Sequence, residues 1–244
     1  QFGSRRDAYL KEYLEKPFVD LDPALEESGI RLSKAKWIWD RARDEKGNMP
    51  IGHVNFRREF VIPEGKQIEA AYVLVAADNA CEVSVNGIKS GSSSGFHQAT
   101  PIKITSQLQP GTNVVSLEAE NLGDEPNPGG VLGAVYVKFE EGDTLDLVTD
   151  ENWRLSLEGP EGWQTSSFDD QHWQRAHALG PSGSAPWGEV TIQMDVVVSQ
   201  YVFSRLTFAL AALYLQTDIE RANIAIIDAV NAMRQQHQAT GEFG

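Results

Sequence analysis

Five histidines, His53, His97, His172, His177 and His237, come first, because imidazole serves both proton transfer and metal ligation. None belongs to an HxxxH or HExxH pair. His172 and His177 stand five apart, off the three- or four-residue spacing that puts two ligands on one helical face. Asp169 and Asp170 are adjacent, so their side chains diverge in either helix or strand and do not form an opposed acid–base pair. With Ser167 they suit the capping of a helical turn anchored by Trp173. Asp78-Asn79 suits a turn in which side-chain oxygens bond nearby amides. No GxSxG elbow occurs, and Gly91-Ser92-Ser93-Ser94-Gly95 lacks the lysine and helix of a phosphate-binding loop. Cys81, the one cysteine, alternates with Val83 and Val85 and reads as a small core residue. A lone thiol excludes an internal disulfide and a multi-cysteine zinc site. No catalytic centre is visible.

Charge narrows the partners. The 244 residues carry 21 Lys+Arg against 35 Asp+Glu, a net charge of −14, with an isoelectric point near 4.7. Duplex binding needs a concentrated basic surface, so nucleic acid is a poor partner. The longest nearly uncharged apolar stretch, Leu206 to Leu215, is about half of a bilayer span. The first residue is Gln1, there is no basic-then-apolar leader, and the last residues follow directly on a helix pattern. The chain therefore reads as part of something longer, with a secreted or periplasmic location in view.

Composition divides the chain into 1–33, 34–189 and 190–244. All six tryptophans lie between Trp37 and Trp187, with nine of the eleven prolines. The first part is a short helical arm. Ser4 and Asp7 cap a run ended by Pro17, and Asp22-Pro23 opens a second helix ending at Gly29. The last part reads as two consecutive helices, Gln200 to Gln216 and Asp218 to His237, the second with a Thr217/Glu220 capping box. The centre reads as strands. Val54, Phe56, Phe60 and Ile62 alternate with polar residues; Tyr72 to Ala77 is continuously apolar; Cys81, Val83 and Val85 lead to the hairpin dipeptide Asn86-Gly87. Ile102 with Ile104, Val115 to Ala119, Val131 to Phe139 and Trp153 to Leu157 continue the pattern. The fold expected is mainly β, an antiparallel β-sandwich with short N-terminal helices and a C-terminal helical hairpin.

Seven segments then carry a resemblance: AKWIW at 35–39, FRREFVIP at 56–63, AADNACEVSVNG at 76–87, LQPGTNVVSLEAEN at 108–121, TDENWRLS at 149–156, GWQTSSFDDQHW at 162–173 and APWGE at 185–189. In that order and spacing they resemble the galactose-binding-like jelly-roll module found beside catalytic domains in α-L-rhamnosidase-like glycoside hydrolases. The resemblance covers about residues 34–189 and implies fold more specifically than activity. It implies a neutral oligo- or polysaccharide as partner, and a catalytic domain or protein partner docking through the C-terminal helices. It also raises a structural Ca²⁺ held by the Asp78-Asn79 and Asp169-Asp170 clusters, although no dense run of alternating Asp and Asn accompanies them.

Within that frame the expected function is a non-catalytic carbohydrate-recognition or accessory module of a polysaccharide-degrading glycoside hydrolase. The alternatives are the N-terminal fragment of an α-L-rhamnosidase-like enzyme whose helical barrel would begin at Tyr201, and a sandwich that binds no sugar. The candidate sugar site lies in the Gly91–Pro101 and Asn121–Gly130 segments, read as Gly/Ser/Asn/Pro-rich loops at one end of the sandwich. His97, Glu118, Glu120, Asn121 and Asp124 supply the hydroxyl partners. Trp37, two residues from Trp39 and so on the same strand face, is open to either packing or sugar contact.

Overall fold

In the computed structural model the described residues are 23–192, which fall within one compact unit, Leu21–Gln193. The sequence patterns over 1–17 and 200–237 lie outside them.

Alternation and turn chemistry build the sheet. Strand β2 (Gly52–Ile62) turns Val54, Phe56, Phe60 and Ile62 inward, and β5 (Gly111–Asn121) does the same with Val115, Leu117 and Ala119. The two run antiparallel in register over their whole length, from Gly52 opposite Asn121 to Ile62 opposite Gly111. The longest strand is β3 (Ile68–Val85). It joins β4 (Ile88–Lys103) through Asn86-Gly87, whose φ angles of 51° and 81° are those a two-residue hairpin turn demands.

The β3–β4 hairpin organises everything else. Ile68 to Asp78 pairs with β6 (Gly130–Phe139), whereas Ala80 to Val85 pairs with β5, and β4 accompanies both halves along the other edge. On one side, β6 leads to β1 (Lys36–Trp39), β10 (His177–Pro181) and β7 (Thr144–Val148). On the other, β5 leads through β2 to β8 (Arg154–Ser156) and β9 (Gln174–Arg175). The result is a mainly antiparallel sheet of 11 strands that closes over one apolar core, where β2 and β5 side chains meet those of β3 and β6. Short β11 (Thr191–Ile192) lies parallel to Gln98-Ala99 of β4.

Both outer faces carry covers. Helix α1 (Pro23–Leu32) sets Ala24 against Ala70, Tyr72 and Tyr136. It runs past Gly29, where the sequence suggested a stop. Leu32 joins Trp37, Leu74, Leu132 and Trp187 in a second apolar cluster on the same outer face. Across the opposite face, residues 157–173 lie over polar but buried Asn55 and Arg57. Arg57, at 0% exposure, reaches Asp170 Oδ2 at 2.6 Å and Glu59 Oε1 at 3.1 Å, and donates to the carbonyls of Thr165 and Phe168. A buried cation persists only with such pairing.

Three expectations change. Trp37 and Trp39 do not share a face, because the β1–β10 register shifts between Trp37 and Ile38. Trp37 therefore joins the outer cluster while Ile38 and Trp39 both enter the core. The Gly91–Pro101 segment is not a loop but the middle of β4, since hydrogen bonding to β3 outweighs its turn-prone composition. The 167–173 stretch forms isolated turns: Asp169 caps one as expected, its Oδ1 accepting from the Gln171 amide at 3.0 Å, but Asp170 is committed to Arg57 instead.

Candidate functional site

Asp78 and Asn79 sit inside β3, where the strand leaves β6 and takes up β5. Their side chains close no local turn; both bond residues far away in the chain. Asp78, 7% exposed, accepts from Trp187 Nε1 through Oδ2 at 3.0 Å. Asn79 Oδ1 accepts from the Leu122 amide at 2.7 Å, which ties β3 to the loop between β5 and β6. Within this pair, Asp78 Oδ1, an acceptor, and Asn79 Nδ2, a donor, have no hydrogen-bond partner among the described residues. An open acceptor and an open donor on consecutive residues suit a hydroxyl-bearing ligand.

The surroundings tune this pair. Burial pushes the Asp78 carboxyl above the ordinary carboxylate range, partly offset by the Trp187 hydrogen bond and the charge of His97. Opposite Asp78 stands Gly130; a Cβ there would come within 2.9 Å of both Trp37 and Trp187, so the strands close at this point only with glycine. On β4, Gly95 takes φ +86° as the register shifts, and exposed His97 follows with its ring against Phe96 at 4.1 Å.

The structure thus brings together some of the sequence candidates and separates others. His97 and the 122–129 loop approach the Asp78-Asn79 pair from two sides. Asp124 is exposed in that loop. Glu120 is opposite Ala80, next to Asn79, and bonds His53 at 3.2 Å. Glu118 stands further along β5 beside Glu82 and Asn55. Asn121 is fully buried, and its Nδ2 holds the carbonyls of Met49, Pro50 and Asn127, which fixes the loop from beneath. Trp37 is fully buried and stacks on Trp187 at 4.5 Å. No indole offers an open face: all six tryptophans are at most 5% exposed. Sequence reasoning left Trp163, Trp173 and Trp187 open to exposure, did not join Trp187 to Asp78, and read Asp78-Asn79 as a turn; all three indoles are buried. The signal was the position of this polar pair inside an otherwise apolar, strand-length run. Among the described residues no three His, Cys, Asp or Glu side chains gather as a metal cage.

An antiparallel β fold with a polar site at a strand crossing is a class shared by free-standing binding proteins and by parts of enzymes. Within that class, the chain is structurally similar to a lectin from Pleurotus ostreatus, determined in complex with GalNAc: 30% identity, TM-score 0.59, covering 66% of this chain and 48% of the lectin. It is also similar to a segment of α-L-rhamnosidases. The Streptomyces avermitilis enzyme, complexed with L-rhamnose, matches at 24% identity and TM-score 0.59 over 66% of this chain and 16% of its own. The Aspergillus terreus enzyme matches at 18% and 0.52, over 66% of this chain and 22% of its own. The two enzymes share the fold. The chain spans about half the length of the lectin. No family model and no curated protein matches the sequence.

Proposed function

We propose that residues 23–192 form a carbohydrate-recognition module, a jelly roll of the galactose-binding-like kind, which takes a neutral sugar where β3 crosses between its partners. The observation that carries this reading is the open acceptor and donor pair, Asp78 Oδ1 and Asn79 Nδ2. Adjacent sugar hydroxyls are matched by such a pair. His97 on β4 and the 122–129 loop flank the pair, Asn121 holds that loop from within, and Trp37 backs Trp187. The GalNAc held by the Pleurotus lectin supports this ligand class. A net charge of −14 disfavours anionic glycans by repulsion. The likeness to a segment of rhamnosidases favours an accessory role beside a glycoside hydrolase, secreted or periplasmic, with the sandwich bringing the enzyme to its polysaccharide.

Titration of the whole chain with GalNAc, galactose and L-rhamnose, followed through amide chemical shifts, tests the reading. Saturable shifts at Asp78, Asn79, His97 and the 122–129 loop support it. Shifts confined to the cleft of about 300 Å³ beside Leu157, Glu158, His172 and Trp173 would move the site elsewhere. No response at millimolar sugar would leave a packing scaffold.

A further inference from the structure

The segment 182–192 crosses the outer face of the sheet as a strap. Ser184 Oγ bonds the Pro181 carbonyl at 2.6 Å, and the Gly188 amide returns to the Ser184 carbonyl at 2.9 Å, so the strap is tied to itself on both sides of Trp187. The Trp187 ring is 4% exposed. It lies against Trp37 with the ring planes 21° apart, within the apolar cluster of Leu32, Leu74 and Leu132, and both indoles close in on Gly130, where a Cβ would come within 2.9 Å of each. A buried indole stacked on a second indole, with both pressed close to a glycine, has little room to rotate. Its one polar atom, Nε1, is therefore fixed in direction, and that direction is Asp78 Oδ2 at 3.0 Å. Beyond Trp187 the strap pairs as β11 with β4 directly after His97, and Thr191 Oγ1 donates to the His97 carbonyl at 3.4 Å. One strap thus holds two sides of the candidate site.

Packing alone would be served by phenylalanine at 187. The indole N–H adds an anchor for one carboxyl oxygen, and it leaves the other without a protein partner. We propose that Trp187 is the positioning residue of this site: its N–H holds the Asp78 carboxyl in its binding orientation, and so sets affinity for a sugar hydroxyl. The proposal rests on the carbohydrate reading given above. The groups that face Asp78 are few. His97 on β4 bears on it by charge, β6 offers the backbone of Gly130, and the strap offers Trp187.

The test compares the whole chain with its W187F variant, which keeps a ring on Trp37 and deletes the donor. GalNAc titrated by calorimetry at neutral pH is expected to bind about tenfold more weakly to the variant, the order of a hydrogen bond to a charged group. In the wild type the Trp187 indole N–H resonance is expected to shift with the Asp78 and Asn79 amides along one saturation curve, which a ring that only packs would not do. If neither protein binds sugar but the Asp78 carboxyl and Asn79 amide resonances move in W187F, the carbohydrate reading fails while the orienting role of Trp187 stands. Unchanged affinity in a folded W187F overturns the proposal. Should W187F not fold, the wild-type indole resonance decides: constancy through saturation with GalNAc overturns the assignment.

Discussion

Arg57 Nη1 and Asp170 Oδ2 lie 2.6 Å apart beneath the 157–173 segment, with the Phe168 ring 5.5 Å from the guanidinium carbon. Arg57 is wholly buried while Asp170 keeps some solvent contact, so the two partners are not equivalent on removal. Asp170→Ala leaves the buried cation only the half-exposed Glu59 and the two carbonyls, and is expected to cost about 3 kcal/mol, the low end for breaking a buried pair. Arg57→Met removes the charge itself and is expected to cost less. Urea denaturation of both variants checks the order, and equal losses would mean that residues 157–173 are not pinned by this pair.

Gly130→Ala places a methyl group within 2.9 Å of the two stacked indoles. Overpacking of this kind costs about 1–3 kcal/mol. The near-ultraviolet circular dichroism of Trp37 and Trp187 is expected to change with it. A variant as stable as the parent, with an unaltered spectrum, would show that the strap yields freely.

Asp78 carries a sign that differs from an ordinary ion-paired carboxylate. Its folded pKa is raised, chiefly by burial, so the folded state binds the proton more readily than the unfolded chain. The destabilisation it causes is present above the folded pKa and is relieved as pH falls through it. Asp78→Asn removes that charge and retains an oxygen for Trp187 Nε1. Its melting temperature at neutral pH is expected to equal or exceed that of the parent, while GalNAc affinity falls. A marked drop in melting temperature would assign Asp78 to structure alone.

Cys81 is 2% exposed, and burial together with Glu118 and Glu82 pushes its thiol far above the usual range. Thiol reagents act on the thiolate. Labelling in native buffer is therefore expected to be slow and to track global unfolding across a denaturant series. Rapid stoichiometric labelling in native buffer would contradict the burial.

Much of this architecture was legible where local chemistry is decisive. Asn86-Gly87 marks its hairpin because few other dipeptides accept two positive φ angles. The alternation in β2 and β5 marks two strands because one face of each is polar. Legibility failed where long-range pairing overrides local preference. Nothing in Trp37-Ile38-Trp39 announces the register shift that sends the two indoles to different sides. The Ser/Gly run at 91–95 has the composition of a loop, and only the neighbouring β3 makes it strand. The candidate site shows the same division. His97 and the 122–129 loop were visible as reachable polar groups. The Asp78–Trp187 bond joins residues 109 apart, a separation that no local pattern encodes.

The sharing of β3 has a consequence for how the domain comes apart. Its first half serves β6, its second half serves β5, and β4 follows both. No cut through the sheet leaves two pieces that each keep a complete set of backbone partners. Melting of either half strips hydrogen bonds from the other, so the free energy of opening is held in common. Amide exchange across β2, β5 and β6 is expected to converge on a single opening energy, with the short outer strands β9 and β11 exchanging first.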